Sequence, residues 1–290
     1  MKEFRFICKT LLAVAAAAVI LGPGTTVVTA TEPCGDFGEC KVLIEINATD
    51  GDIGFHFLVD GDDLISTRLT DPDGKKVFED LAKGSLVDQF MTEQFVESAE
   101  PLCWDSPDAE EDDEIVTLEE FLERWAEGTY LFTARGEEGE LSEGETELTY
   151  EIPAAPADLA FNAITSVITW DGGDDLGNCA TNAELDMLVI AEVLTEHPED
   201  VDVDAWEIVL EPDVEDGDPL GALKYTVRVT GDVNFFDPTV GISVPAEYLA
   251  SLPDNTLAKM EVGAIGGEDN ATFTEIFDIC LNEVEAGCED

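Results

Sequence analysis

Residues 41–59, KVLIEINATDGDIGFHFLV, decide the fold. Two runs, KVLIEIN (41–47) and IGFHFLV (53–59), alternate apolar and polar side chains on either side of a turn. Alternation at period two is the mark of a strand, because successive strand side chains point to opposite faces. In the second run Ile53, Phe55, Phe57 and Val59 share one face, and His56 falls on the other. The intervening Asp50-Gly51-Asp52 carries turn chemistry. The stretch therefore predicts two consecutive half-buried strands.

The same cadence continues outward. Ile65–Thr70 and Lys75–Glu79 flank Asp71-Pro72-Asp73-Gly74, the composition of a hairpin turn, and Thr129–Arg135 and Glu147–Ile152 read as two later strands. One helix interrupts: Thr117 and Glu120 fit a capping box, and Leu118, Phe121, Leu122 and Trp125 lie on one helical face. Before it, residues 105–114 (DSPDAEEDDE) hold seven acids in ten and read as a solvated loop. Ile152–Pro156 (IPAAP) reads as a linker. Further strands follow at Ser166–Trp170, Trp206–Leu210, Leu223–Val229, Gly241–Val244, Ala258–Ala264 and Ala271–Ile279, with an apolar segment at Leu185–Leu194 open to helix or strand. The expected fold class is all-β: two tandem immunoglobulin-like β-sandwich domains, residues 31–152 with one short helix and residues 157–281, joined by 153–156 and followed by a tail, 282–290.

Lys2, Arg5 and Lys9 precede an apolar stretch at 11–21, and Val28-Thr29-Ala30 follows with small residues. This is the order of a secretory signal cleaved near Ala30, which places the protein in the periplasm, at the cell surface or outside the cell. Eleven apolar residues are too few for a span, which needs about 20. The chain carries 67 acids against 13 Lys plus Arg, a net charge of −54; without residues 1–30 the balance is 10 against 66. A surface so negative repels nucleic acid and anionic membrane, and leaves a protein surface, a neutral glycan surface or loosely held divalent cations as partners. Six cysteines remain beyond Cys8, an even number that favours disulfides in an exported chain, with 15 possible connectivities. Cys34–Cys40 and Cys280–Cys288 are close enough for local loops, leaving Cys103–Cys179 by elimination. A zinc site is the alternative, although no C-x-x-C pair and no paired His are present.

Acidic turns invite calcium. Asp50 and Asp52 stand at one end of the 53–59 strand and Asp60 and Asp62 at the other, so they are not expected in one pocket. Asp200, Asp202 and Asp204 with Glu211 have EF-hand-like spacing, but Ala205 stands where the loop needs Gly. His56 and His197 belong to no H-E-x-x-H motif and read as surface histidines; G-x-S-x-G is absent. Asn47-Ala48-Thr49 and Asn270-Ala271-Thr272 are sequons only by pattern. No catalytic, cofactor-binding or metal-ligating residue is assigned.

Residues 156–279 resemble a fibronectin type III domain. Pro156, Ile168-Thr169-Trp170 and Trp206-Glu207-Ile208 are similar to that family's first three strands, and 244–272, VPAEYLASLPDNTLAKMEVGAIGGEDNAT, to its E–F–G region. Two features depart from the family: Ala258 stands where the corner tyrosine is usual, and the interval from Trp170 to Trp206 is long. The front half, through ATDGDIGF (48–55), LTDPDGKKVFE (69–79), MTEQFVESAEP (91–101), TLEEFLERWAEGTY (117–130) and LTYEIPAAP (148–156), resembles the region preceding such a domain in exported bacterial proteins. The resemblance implies a non-catalytic binding or spacer module. A secreted hydrolase or its substrate-binding accessory subunit, and a calcium-dependent adhesion module, are the alternatives. A pocket with converging carboxylates separates the first alternative from convex, loop-capped sandwiches.

Overall fold

The computed structural model describes residues 34–107, 109, 114–215, 217–230, 241–284 and 288. The expected signal segment 1–30, positions 108 and 110–113 of the acidic run, and 216 lie outside the described residues. The described chain is mostly β. In order it forms β1 (Glu39–Asn47), β2 (Asp52–Thr70), β3 (Lys76–Leu81), α1 (Leu86–Gln89), β4 (Met91–Glu97), α2 (Leu118–Arg124), β5 (Gly128–Gly136) and β6 (Leu141–Leu148). There follow β7 (Ala157–Asn162), β8 (Val167–Asp171), α3 (Asn182–Ile190), β9 (Val203–Pro212), β10 (Tyr225–Thr230), β11 (Ile242–Ser243), α4 (Ala246–Leu249), β12 (Thr256–Gly266) and β13 (Ala271–Leu281).

The opening pair forms as its alternation requires. β1 and β2 are antiparallel, with Ile44 opposite Phe55 and Glu45 opposite Gly54. Ile53, Phe55, Phe57 and Val59 are buried with Val42, Ile44 and Ile46, the core of the front half. The expected strands 53–59 and 65–70 are one strand, β2, whose register shifts between Asp60 and Leu64 as it passes from β4 to its later partners. The Asp71–Gly74 turn closes the β2–β3 hairpin, Gly74 N–H donating to the Asp71 carbonyl at 2.9 Å. Helix α2 starts at Thr117, whose hydroxyl accepts from Glu120 N–H at 3.3 Å, and buries Leu118, Phe121 and Leu122.

One expected strand is displaced. Glu147–Ile152 is expected from its apolar end, but the strand is Leu141–Leu148, where only Gly144 and Leu148 are buried and the remaining positions, exposed Leu141 apart, are polar and at least partly exposed. An edge strand needs little apolar surface, so its pattern is faint. The strand β4 escaped for the same reason.

The two halves share one sheet. β1 pairs in parallel with β13, Glu45 opposite Ala271 and Asn47 opposite Phe273, and the strand order is β10-β9-β12-β13-β1-β2-β5-β6. A second sheet, β11-β8-β7, faces the second half. Between them Ile168, Trp170, Trp206, Ile208, Leu210, Met260 and Val262 are packed. Residues 152–156, expected as a linker, are buried throughout. The long interval after Trp170 has a structural use: α3 and its flanks place Leu176, Ala180, Leu185 and Leu194 against the front core. The two disulfides expected from spacing and the third expected by elimination are all formed, and that third, Cys103–Cys179, ties this segment to the front half across 76 positions. Asn270 locks the seam: its carboxamide oxygen accepts from Ile44 N–H at 2.8 Å, and its nitrogen donates to the Thr149 and Glu151 carbonyls at 2.9 and 3.1 Å. Among the described residues no helix is long and apolar enough to cross a membrane.

Candidate functional site

Two clefts carry the groups able to do chemistry. The first follows from alternation. Glu45 lies between buried Ile44 and Ile46, Glu207 between Trp206 and Ile208, and Glu261 between Met260 and Val262, so each points to the opposite face from its core. Because β9, β12, β13, β1 and β2 are consecutive neighbours, these outward residues meet. Glu45, Asn47, Asp50, Asp52, Glu100, Glu207, Glu261 and Phe273 line a cleft of about 410 Å³. Phe273 crosses β12 over Gly263, where a Cβ would lie 2.2 Å from its ring. Converging carboxylates are therefore present.

Crowding like charges in a partly dry cleft disfavours ionisation. Burial first, then Glu100, Glu261, Glu97 and Glu207, push the Glu45 carboxyl from 4.5 up to about 7. Burial, Glu100 and Asp50 push Asp52 from 3.8 up to about 6. Glu261 is raised by burial and by Glu275, against the pull of Lys259 and Lys224.

His56 is not the surface histidine that its strand position suggested: it is 2% exposed. Its Nε2 lies 3.1 Å from Glu100 Oε1 and its Nδ1 3.7 Å from Glu45 Oε2. Gly54 makes this possible, since a Cβ there would come within 2.7 Å of Nε2. His197 is also buried, and its Nδ1 accepts from Glu199 N–H at 3.4 Å.

The acidic turns divide as expected: Asp50 and Asp52 line this cleft, while Asp60 and Asp62 are eight or more positions along β2, about 26 Å at strand rise. The EF-hand-like spacing does not close on an ion. Asp204 and Glu211 are seven positions apart on one strand, β9, about 23 Å at strand rise.

A second cleft, of about 840 Å³, is walled by the β2–β3 turn, the segment after β4 and helix α2. Trp125 and Phe121 line it, the indole stacked on Phe55 at 3.9 Å between ring centroids and 2° between planes. Tyr150 fixes this end of the helix, its hydroxyl donating to the Leu122 carbonyl at 2.6 Å and accepting from Glu127 N–H at 3.1 Å. Three cations and three acids line the cleft: Lys75, Lys76 and Arg124 with Asp71, Glu100 and Glu114. Arg124 pairs with Glu114 at 3.0 Å and Lys76 with Glu79 at 2.7 Å, while the Lys75 ammonium has no ion-pair partner among the described residues. Glu100 belongs to both clefts, because residues 98–101 form the ridge between them. The sequence signal was Trp125 on the α2 stripe, which read only as core.

No family model matches the chain, and no curated protein matches it. Among solved structures it is similar to a chain from a study of host cell surface retention of a 1.5-MDa bacterial ice-binding adhesin, at 13% identity with a TM-score of 0.22. The match covers 87% of this chain and 66% of that one.

Proposed function

We propose that the protein is an exported, non-catalytic binding module whose ligand surface is the cleft lined by Trp125 and Phe121, and whose ligand is a neutral glycan. The carrying observation is local neutrality. In a chain of net charge −54, this cleft sets three cations against three acids beside the partly exposed Trp125 indole, with Phe121 buried behind it. An aromatic face packs against the apolar face of a sugar, and paired donors and acceptors satisfy its hydroxyls. An anionic ligand meets repulsion from every side of the molecule. Export is supported by residues 1–30 and by three disulfides, which persist in oxidising compartments. The fibronectin type III-like reading of the second half is supported by its strand order, β11-β8-β7 opposite β10-β9-β12-β13. In place of the corner tyrosine, Tyr248 donates its hydroxyl to the Leu210 carbonyl at 2.8 Å.

An array of neutral, anionic and peptide ligands tests the assignment. Retention of neutral oligosaccharides, weakened by Lys75→Glu and by Trp125→Ala, is the expected result. Retention of peptides alone, or glycan binding untouched by both substitutions, overturns it.

The secreted hydrolase is the second reading, favoured by Glu45 at about 7 beside Asp52 at about 6 in the acidic cleft. A raised carboxyl suits a general acid and a lower one an ionised partner. Release of reducing sugar from any array ligand, abolished by Glu45→Gln, replaces the non-catalytic assignment with this one.

A further inference from the structure

We propose that Glu45, His56 and Glu100 form a binding site for a divalent transition ion of the zinc type. One ligand atom from each lies within 4.8 Å of the others. The three come from β1, β2 and the ridge after β4, so the site is assembled by the fold and has no sequence motif.

Two observations separate it from a patch of surface acids. His56 is 2% exposed, and its imidazole stands against both carboxylates, Nε2 3.1 Å from Glu100 Oε1 and Nδ1 3.7 Å from Glu45 Oε2. Gly54 leaves the room: a Cβ there would meet His56 Nε2 at 2.7 Å and Glu100 Oε1 at 3.0 Å. A buried imidazole held between two carboxylates is a mixed nitrogen and oxygen donor set.

That donor set chooses the ion. Calcium and magnesium take oxygen ligands, whereas imidazole suits zinc and its neighbours. Zinc binds His nitrogen and carboxylate oxygen at about 2.0–2.2 Å, which puts neighbouring ligands of a tetrahedron about 3.3 Å apart. His56 Nε2 and Glu100 Oε1 already stand at 3.1 Å. The Glu45 oxygen, no more than 4.8 Å from the other two ligand atoms, has at most about 1.5 Å to close to complete the triad. The fourth position falls to water or to Asp52, which lines the same cleft. An ion here also neutralises the repulsion that Glu45 and Glu100 exert on each other, and holds the 98–101 ridge. The site does not rest on the glycan assignment, and either can fail alone.

The test is equilibrium dialysis of zinc against the full chain carrying Cys8→Ser, since the three disulfides account for every other cysteine. Calcium and magnesium are kept in large excess to occupy scattered carboxylates. Expected are one retained zinc per chain and, with cobalt, the strong visible bands of a four-coordinate site lacking thiolate. His56→Gln and Glu100→Gln each lower zinc affinity at least about 10- to 100-fold, the loss that even an outer-shell partner causes. If His56→Gln does not fold, Glu100→Gln decides alone, because that side chain is 43% exposed and its neutral form keeps the shape. Zinc displaced by calcium or magnesium, or retained equally by both variants, overturns the proposal.

Discussion

Glu45→Gln should stabilise the protein at neutral pH and leave it nearly unchanged in acid. The Glu45 carboxyl is displaced from 4.5 to about 7, first by burial and then by the acids around it. At about 1.4 kcal/mol per pH unit this corresponds to about 3 kcal/mol between the two ionisation states. The side chain is 36% exposed, so solvent screening leaves roughly half, about 1.5 kcal/mol. The sign follows from which state holds the proton. Below the unfolded value both states are protonated and nothing is lost; as pH rises through the folded value, the native state must hold a partly buried anion, and stability falls. Glutamine keeps the shape and never ionises. Urea unfolding with EDTA present, at about pH 8 and about pH 4.5, should show a gain of about 1.5 kcal/mol at the first and a few tenths at the second. Urea is used because guanidinium would screen the charges. An equal gain at both pH values would mean better packing instead of relieved charge. A loss at the higher pH would refute the reasoning, since Glu45 would then stabilise the fold as an anion.

Other expectations concern the framework. Cys103→Ser with Cys179→Ser opens a loop of 76 positions and should cost about 4 kcal/mol in urea unfolding, against about 2.5 for Cys280→Ser with Cys288→Ser across 8 positions. Equal losses would mean that the long bridge does not restrain the unfolded chain. Asn270→Ala strands the buried Ile44 N–H and two carbonyls, so a loss of about 3 kcal/mol is expected, with faster amide exchange along β1 and β13. Exchange unchanged at the seam would show that Asn270 does not lock it. Tyr248→Phe removes one donated hydrogen bond to Leu210 and should cost about 1 kcal/mol by the same assay.

The inward faces were legible and the neighbours were not. Ile53, Phe55, Phe57 and Val59 declared one face by alternation, as did Trp206, Ile208 and Leu210, and local turn and capping residues placed the β2–β3 hairpin and helix α2. The same alternation put Glu45, Glu207 and Glu261 outward, yet nothing in it says that β1 pairs with β13, which joins residues such as Glu45 and Ala271 across 226 positions. The acidic cleft exists only through that pairing. His56 misled for a related reason. Its place opposite Phe55 and Phe57 implies solvent only if no layer covers that face, and the Glu97–Glu100 stretch and Glu45 enclose it. β6 is faint over most of its length because its inward positions before Leu148 are Ser142, Gly144 and Thr146, which carry no large apolar side chain to mark the alternation.

The ligand surface is tested most directly by the tryptophan indole signals in a two-dimensional nitrogen–proton NMR spectrum. The four tryptophans, Trp104, Trp125, Trp170 and Trp206, give one such signal each. Adding a neutral oligosaccharide retained on the array should shift the Trp125 indole and the amides of Val77 and Leu102, which line the same cleft. Shifts confined to Asn47, Glu207 and Phe273 around the acidic cleft, with Trp125 unmoved, would contradict the account.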